Sequence, residues 1–420
     1  MDNRLPPLIQ ALLDPAGYDH AVQNIHVVET HISWVLLTGP YAYKIKKPVN
    51  LGFLDFSTLD KRRFYCEEEL RLNRRLAEAI YLGVIPISGS PASPRLNGSG
   101  EAIEYAVKMV QFSEEARLDR MLARGKLQAI HIDLLAQELA AFHGRIAIAG
   151  NDKPFGNPEH VREPVTQNFI QIRSRLEPSD QLQLQRLEKW SATAFAELRE
   201  TFENRKRLGF IRECHGDAHL ANMVWHDERV LLFDCLEFSE NLRWIDTMSE
   251  VAFLTMDLDD RGRADLARRA LNAYLEHTGD YEGLVVFGFY QVYRAMVRAK
   301  VACIRSCQGD LSDEEKRGYA RSISVTQISP NVTLKHSVLR SSSPTVCRAA
   351  AKPGFRNNCW RVLAPSACAA MSSANACTDW HRTHAPARRS TAGFTRSRPA
   401  SALMRDWRNW PRPSCGPDIR

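Results

Sequence analysis

The sequence predicts an α+β protein of two unequal parts, a small β-rich N-terminal lobe (residues 1–112) and a larger helical lobe (113–323), followed by a tail (324–420) that reads as disordered or out of frame. Three observations predict this. Short strand-like runs joined by turns occupy the first part. Apolar residues then recur at helical spacing, as in HIDLLAQELAAFH and FYQVYRAMVRAKVACI. Beyond Ser324 neither period persists. A chain of 420 residues is also too long for one compact core.

The elements follow in order. Residues 32–37 (ISWVLL) read as a strand, Thr38-Gly39-Pro40 as a turn and residues 41–46 (YAYKIK) as the returning strand. Side chains alternate along a strand, so Lys44 and Lys46 share one face. Ser57 or Thr58 is placed to cap a helix that carries three consecutive glutamates, Glu67, Glu68 and Glu69. Glu69 shares a stripe with Cys66, Asn73 and Leu76, which turns it inward, with Glu68 as the alternative. Residues 102–112 (AIEYAVKMVQF) alternate like a strand and precede the helical region, which makes them a hinge between lobes. Helices are expected over 131–145, 166–207, 247–257, 264–277 and 284–306.

Composition sets limits. Hydrophobic residues are 44% and charged residues 25%, ordinary for a globular chain. No apolar run reaches the ~18 residues of a membrane span. The start, MDNRLPPLIQALL, is broken by Pro6 and Pro7, so no signal peptide and a cytoplasmic location are expected. The net charge of +7 is unevenly spread. Residues 324–420 hold 15 Lys and Arg against 3 Asp and no Glu, and the preceding residues hold 41 basic against 46 acidic side chains. The basic pI therefore gives no reason to expect a nucleic-acid partner for the first two parts.

The tail also holds four of the eight Trp and five of the ten Cys. Disordered tails are poor in such residues, whereas a GC-rich gene translated out of frame yields them readily. Back-translated with permitted codons and read two bases later, residues 342–363 give ITHGLSGSGKTWVSQQLL. That string holds GxxxxGKT, the phosphate-cradling loop. The tail is read as a frame-shifted remnant of a nucleotide-binding domain, with a genuine basic tail as the alternative. Cys347, Cys359, Cys368 and Cys377 lack the short-range pairing of a zinc site.

The sharpest signal is HGDAHLAN, residues 215–222, followed by an apolar run and a second strand that delivers Asp234. Phosphoryl transfer from ATP needs one carboxylate to orient the acceptor hydroxyl, and a second carboxylate with an amide oxygen to hold Mg2+. Asp217 fits the first role. Asn222 and Asp234 fit the metal roles. The spacing resembles the H-x-D-x-x-x-x-N loop of kinases.

The pattern HGDxHxxN followed by a strand-borne Asp resembles the aminoglycoside phosphotransferase family, a branch of the protein-kinase-like fold, over roughly residues 20–320. The resemblance implies a two-lobed kinase acting on small-molecule hydroxyls, with ATP and Mg2+ as cofactors and no membrane or nucleic-acid partner. It carries the catalytic motif onto His215, Asp217 and His219, and the metal role onto Asn222 and Asp234. It implies a phosphate-binding lysine held by a helix glutamate, for which Lys44 and Glu69 are the candidates and Lys46 the runner-up. It also suggests that Asp246 buttresses the catalytic loop, and that relatives of one subgroup carry a fused P-loop domain. Two features depart from protein kinases. Residues 25–40 hold no GxGxxG, leaving the turn at Glu29-Thr30-His31-Ile32. Asp234 is followed by Cys235, Leu236 and Glu237 in place of D-F-G. Glu237 is either a metal helper or structural. Asp257, Asp259 and Asp260 are read as a solvated helix end, with a contact for a polycationic acceptor as the alternative, and His143, His160, His226 and His277 as structural or surface residues. A regulatory, pseudokinase-like module and an inactive truncated product are the competing readings. The motif fixes neither the acceptor nor the oligomeric state.

Overall fold

Alternation of apolar residues builds the N-terminal sheet. The computed structural model describes residues 5–52, 54–174 and 178–306, and the segment from 324 onward lies outside them. A short helix α1 (Pro7–Ala11) precedes strands β1 (His26–Glu29), β2 (Ser33–Leu37) and β3 (Tyr41–Lys46). Helix α2 (Leu59–Ala77) follows, then β4 (Tyr81–Ser90), β5 (Ser93–Leu96) and β6 (Ala102–Val110). The six strands form one sheet in the order β1-β2-β3-β6-β4-β5, with every pairing antiparallel. Leu36, Tyr43 and Ile45 pack on one face against Ile9 and Leu12. Val35, Leu37 and Ala42 pack on the other with Cys66 and Ala77 of α2. Lys44 and Lys46 lie on the Ala42 face of β3, where an alternating strand puts them, and Lys44 sits opposite Val35 and Val107.

Strands β4 and β5 have no counterpart in the sequence reading. The run YLGVIPISGS holds two glycines and a proline, residues that ordinarily argue against a strand. The sheet accommodates them with register irregularities at Tyr81/Gly83 and Ile87/Ser88.

The helical part comprises α3 (Leu118–Ala123), α4 (Ala129–Arg145), α5 (Pro158–Arg173), α6 (Pro178–Arg207), α7 (Glu240–Arg243), α8 (Thr247–Asp260), α9 (Ala264–Thr278) and α10 (Leu284–Ser306). Two small ribbons are inset. In one, β7 (Ile211–Glu213) pairs with β10 (Trp244–Asp246), and in the other β8 (Met223–His226) pairs with β9 (Arg229–Leu232). The single helix expected over 166–207 is two. Pro178 begins the second, because proline lacks the N–H that would continue a preceding turn. The first starts earlier than expected, at Pro158, where a proline's missing donor costs nothing.

Helix α8 is the axis of this part. Every residue from Thr247 to Leu258 is buried, so it meets neighbours on all sides. Leu135, Leu139 and Phe142 of α4, Phe202 of α6, and Phe289 and Met296 of α10 join its Val251 and Leu254 in one core. Among the described residues no helix is long and apolar enough to cross a membrane. Leu139 is 1% exposed. Leu139→Ala is expected to lower stability by about 2–5 kcal/mol, read as a shift in the urea midpoint.

Candidate active site

Glu69 is the first fixed point of the site. The Thr58 hydroxyl caps α2 by accepting from the Lys61 N–H at 3.3 Å. Arg62 of the same helix donates to Glu104 of β6 at 2.9 Å, which sets the helix against the sheet. That rotation buries Glu69 completely and leaves Glu68 outside, paired with Arg71 at 2.8 Å. Lys44 Nζ lies 2.8 Å from Glu69 Oε1 and 2.7 Å from Asp234 Oδ1. Lys46 Nζ lies 2.7 Å from Glu69 Oε2 and 2.5 Å from Glu237 Oε1. Both candidate lysines therefore share one carboxylate, a result the strand pattern allows but does not select. They differ in outlook. Lys44 lines the cleft with Asp234, whereas Lys46 is 1% exposed behind it.

Burial penalises every charge in this cluster. For Glu69 the two ammonium groups outweigh that penalty and hold the carboxyl below its ordinary range. For Glu237 burial wins, and its carboxyl is raised despite Lys46. For Lys44 the charges of Asp234 and Glu69 more than offset burial, so its ammonium form is favoured.

The second fixed point is the loop 215–222. Gly216 has φ +88°, and a Cβ there would lie 2.8 Å from the Leu242 carbonyl oxygen, so only glycine fits without strain. Its N–H donates to Glu250 Oε1 at 2.6 Å, and its carbonyl accepts from Arg294 at 3.1 Å. The Leu220 N–H donates to Asp257 Oδ2 at 3.0 Å. Asn222 Nδ2 donates to Asp217 Oδ2 at 2.9 Å, and His219 Nε2 lies 3.4 Å from the same oxygen. His215 is fully buried. Its Nε2 meets the Phe233 carbonyl at 3.0 Å and its Nδ1 accepts from the Asp217 N–H at 3.3 Å. It braces the loop against the segment leading to Asp234. Burial would raise the Asp217 carboxyl, but the charge and hydrogen bond of His219, with His215 and Arg298, hold it well below the usual carboxylate range.

The third fixed point is Asp234 itself. The Phe233 N–H donates to the Asn222 carbonyl at 3.0 Å, so the two expected metal residues are set by one backbone bond. Asp234 takes φ +63°, a left-handed conformation that Asp tolerates better than most residues. Its N–H donates to the Tyr81 hydroxyl at 3.2 Å, and the next N–H, of Cys235, donates to Asn73 Oδ1 at 2.9 Å. Strand β4 and helix α2 thus hold the backbone around it.

A cleft opens beside these groups, lined by Val35, Ala42, Tyr81, Met109 and Phe112 together with Lys44 and Asp234. The Val110 and Gln111 N–H groups, within the segment read as a hinge between lobes, already donate to the Ile80 and Pro40 carbonyls at 2.8 and 3.1 Å.

Two expectations change. Asp246 does not touch the catalytic loop, because its oxygens accept from Arg205 at 2.6 and 2.8 Å and from the Met248 N–H at 2.9 Å. Asp257 is not solvated. It is buried, and it anchors Leu220 while pairing with Arg261 at 3.2 Å. Glu250, which the sequence reading passed over, is the main buttress. A trace was present, since Glu250 and Asp257 stand seven residues, or two turns, apart and so share one face of the helix. Glu250, His143 and Cys214 place donor atoms close together, but His143 spends both nitrogens, on Tyr274 at 2.8 Å and Glu250 at 2.9 Å. Burial also pushes the Cys214 thiol far up. The cluster is a hydrogen-bond network.

Residues 65–284, a little over half the chain, match the model described as the phosphotransferase enzyme family, and the chain belongs to that family. A protein of Mycobacterium tuberculosis described as uncharacterized is 34% identical over 286 residues, covering 68% of this chain and 56% of its own length, and one of Mycobacterium bovis matches equally. The chain thus spans a little over half of these curated relatives. Among solved structures, choline kinase of Cryptosporidium parvum is 10% identical with a TM-score of 0.46, covering 80% of this chain and 98% of its own. A GDP and kanamycin complex of the phosphotransferase APH(2'')-IIIa is 12% identical with a TM-score of 0.46, over 75% and 98%.

Two outcomes test the packing of the site. Burial raises the Glu250 carboxyl, but the hydrogen bond and charge of His143 override this and hold it at about 2, against an ordinary 4.5. A depressed carboxyl stabilises fully above its unfolded value and loses that contribution as pH falls toward the folded one, here on the order of 3 kcal/mol between pH 4.5 and 2. The urea midpoint of the parent should therefore fall more between pH 6 and pH 3 than that of Glu250→Gln. Lys46→Met strands buried Glu237 and leaves Glu69 to Lys44 alone, and is expected to cost about 3–5 kcal/mol, more than the same change at an exposed lysine, in the same denaturation assay.

Proposed function

We propose that the protein is an ATP- and Mg2+-dependent phosphotransferase that acts on the hydroxyl of a small molecule. The observation that carries this reading is the convergence of Lys44, Glu69 and Asp234 from one side with Asp217 and Asn222 from the other, locked together by the Asn222–Phe233 backbone bond. The donor set suits a hard cation. Asn222 turns its amide nitrogen to Asp217, so its amide oxygen and the carboxylate of Asp234 would be the metal's donors, and oxygen ligands of this kind hold Mg2+. Bound there, the metal would neutralise charge on the transferring phosphates. Lys44 would move from Asp234 toward the phosphates while Glu69 keeps it in the cleft. The apolar wall formed by Val35, Ala42 and Met109 suits a nucleobase.

Asp217 is ionised at neutral pH and faces the loop's polar side, so it would orient the acceptor hydroxyl and take its proton as the new bond forms. His215 and His219 act through Asp217. They set its position and charge and need not touch substrate.

We infer further that residues from about 324 onward are an out-of-frame remnant of a P-loop domain. Their composition and the GxxxxGKT string support this. Those residues lie outside the described part of the structure, and the gene's nucleotides under residues 342–363, read two bases on, are the direct check. A frame without that motif ends the idea.

Kinetics of the variants test the catalytic assignment. Asp217→Asn is expected to lower kcat about 10²–10⁴-fold while nucleotide binding persists. Asp234→Ala should instead weaken Mg2+-dependent ATP binding. Near-parental turnover in Asp217→Asn would contradict the role given to Asp217.

A further inference from the structure

Helices α8 and α10 present a shared face to the catalytic loop. They run in the same direction, with Met248 beside Gly283 and Thr255 beside Gln291 at 3.5 Å. On α8, Phe253 and Asp257 stand four residues apart and so share a side, as do Arg294 and Arg298 on α10. At the first level every group is used. The Arg294 guanidinium lies 4.8 Å over the Phe253 ring and donates to the Gly216 carbonyl at 3.1 Å, and the same ring meets His219 edge-on at 5.5 Å. One turn on, Asp257 accepts from the Leu220 N–H at 3.0 Å, and Arg298 stands level with it. Helical side chains lean toward the helix N-terminus, which carries Arg298 back toward the loop.

Arg298 is half-buried and makes no hydrogen bond or ion pair with another described residue. A purely structural guanidinium would pair with Asp257, which takes Arg261 at 3.2 Å instead. The charge of Arg298 is nonetheless felt at the loop. Burial would raise the carboxyls of Asp217 and Asp257, and Arg298 is among the charges that hold both low, behind His219 for the first and Arg261 for the second. The Asp217 side chain is 26% exposed, so both it and Arg298 are open to solvent.

The nucleotide approaches from other elements. Lys44 and Asp234 meet the loop through Asn222, whose carbonyl takes the Phe233 N–H, whereas Arg298 meets it from α10. The entering oxygen and the departing ADP lie roughly in line on opposite sides of the transferred phosphorus. A group beside Asp217 and away from Lys44 therefore meets the acceptor. The acids nearby do not favour a cation there. Asp257 is taken by Leu220 and Arg261, Asp259 is engaged, and the Asp260 carboxyl is raised by burial and by the charge of Asp257. The planar fork of donors on a guanidinium matches a carboxylate or a phosphate.

We infer that Arg298 sets acceptor specificity, and that the acceptor carries an anionic group, a carboxylate or a phosphate, besides the hydroxyl that reacts. This rests on the phosphotransferase reading. The anionic group pairs with Arg298 while the hydroxyl meets Asp217. The acceptor oxygen forms a bond to the γ-phosphorus of ATP, the bond from that phosphorus to the bridging oxygen breaks, the hydroxyl proton passes to Asp217, and ADP leaves.

The test measures ADP release by the full chain with Mg-ATP and hydroxyl compounds in matched pairs: D-glycerate with glycerol, glucose 6-phosphate with D-glucose, and ribose 5-phosphate with D-ribose, alongside choline and kanamycin. The anionic member of at least one pair should be preferred about tenfold or more in kcat/KM. Arg298→Ala should erase most of that preference through the KM for the anionic compound, with the KM for Mg-ATP unmoved, and Arg298→Lys should recover part of it. A merely structural arginine would lower both members of a pair alike. Glycerate against the sugar phosphates separates a carboxylate from a phosphate. Preference for the neutral members, choline or kanamycin overturns the assignment. So does no stimulation by any compound in a protein that binds Mg-ATP, a preference that survives in Arg298→Ala, or a loss that falls on the KM for Mg-ATP. Failure to bind Mg-ATP at all would instead remove the phosphotransferase reading beneath it.

Discussion

One buried carboxylate organises the sheet side of the molecule. Glu69 has no exposed surface and pairs with two lysines from the same strand, one of which also holds Asp234. Removing a charge from such a cluster strands its partners in a medium that solvates them poorly. Strand β3, helix α2 and the segment 234–237 are thereby fixed to one another by charge as well as by packing. The arrangement uses the two-residue period of a strand. Only residues at i and i+2 could both reach the same helix face, and Lys44 and Lys46 stand at that spacing.

The helical side has its own constraint. A loop that carries Asp217 has N–H and carbonyl groups that no regular ladder satisfies, and buried groups of that kind need partners. Helix α8 supplies them through Glu250 and Asp257, and α10 through Arg294. Asp217 is thus carried on a loop whose backbone is anchored to a helix buried from Thr247 to Leu258. The two sides meet where the Asn222 carbonyl accepts the Phe233 N–H and where Asn73 accepts the Cys235 N–H.

Much of this was legible in the sequence because it depends on short-range spacing. The pairing of β2 with β3, the inward turn of Glu69 and the loop 215–222 all follow from residues close together in the chain. What escaped reading depends on partners far apart. Glu250 stands out only once its helix is seen to be buried along its length. Asp246 looked placed to brace the loop, but Arg205, 41 residues away, claims it. Strand β4 was hidden because Gly83, Pro86 and Gly89 carry turn signals, and only pairing with β6 on one side and β5 on the other makes a strand of them. Lys44 and Lys46 could not be ranked from sequence because both are used.

The cleft lined by Lys44 and Asp234 is the proposed site for a metal-bound nucleoside triphosphate. Calorimetry of ATP binding, with Mg2+ present and with Mg2+ removed by chelation, tests this most directly. Tight binding that weakens about tenfold or more without the metal is the expected result. No binding, or an affinity indifferent to Mg2+, would contradict it.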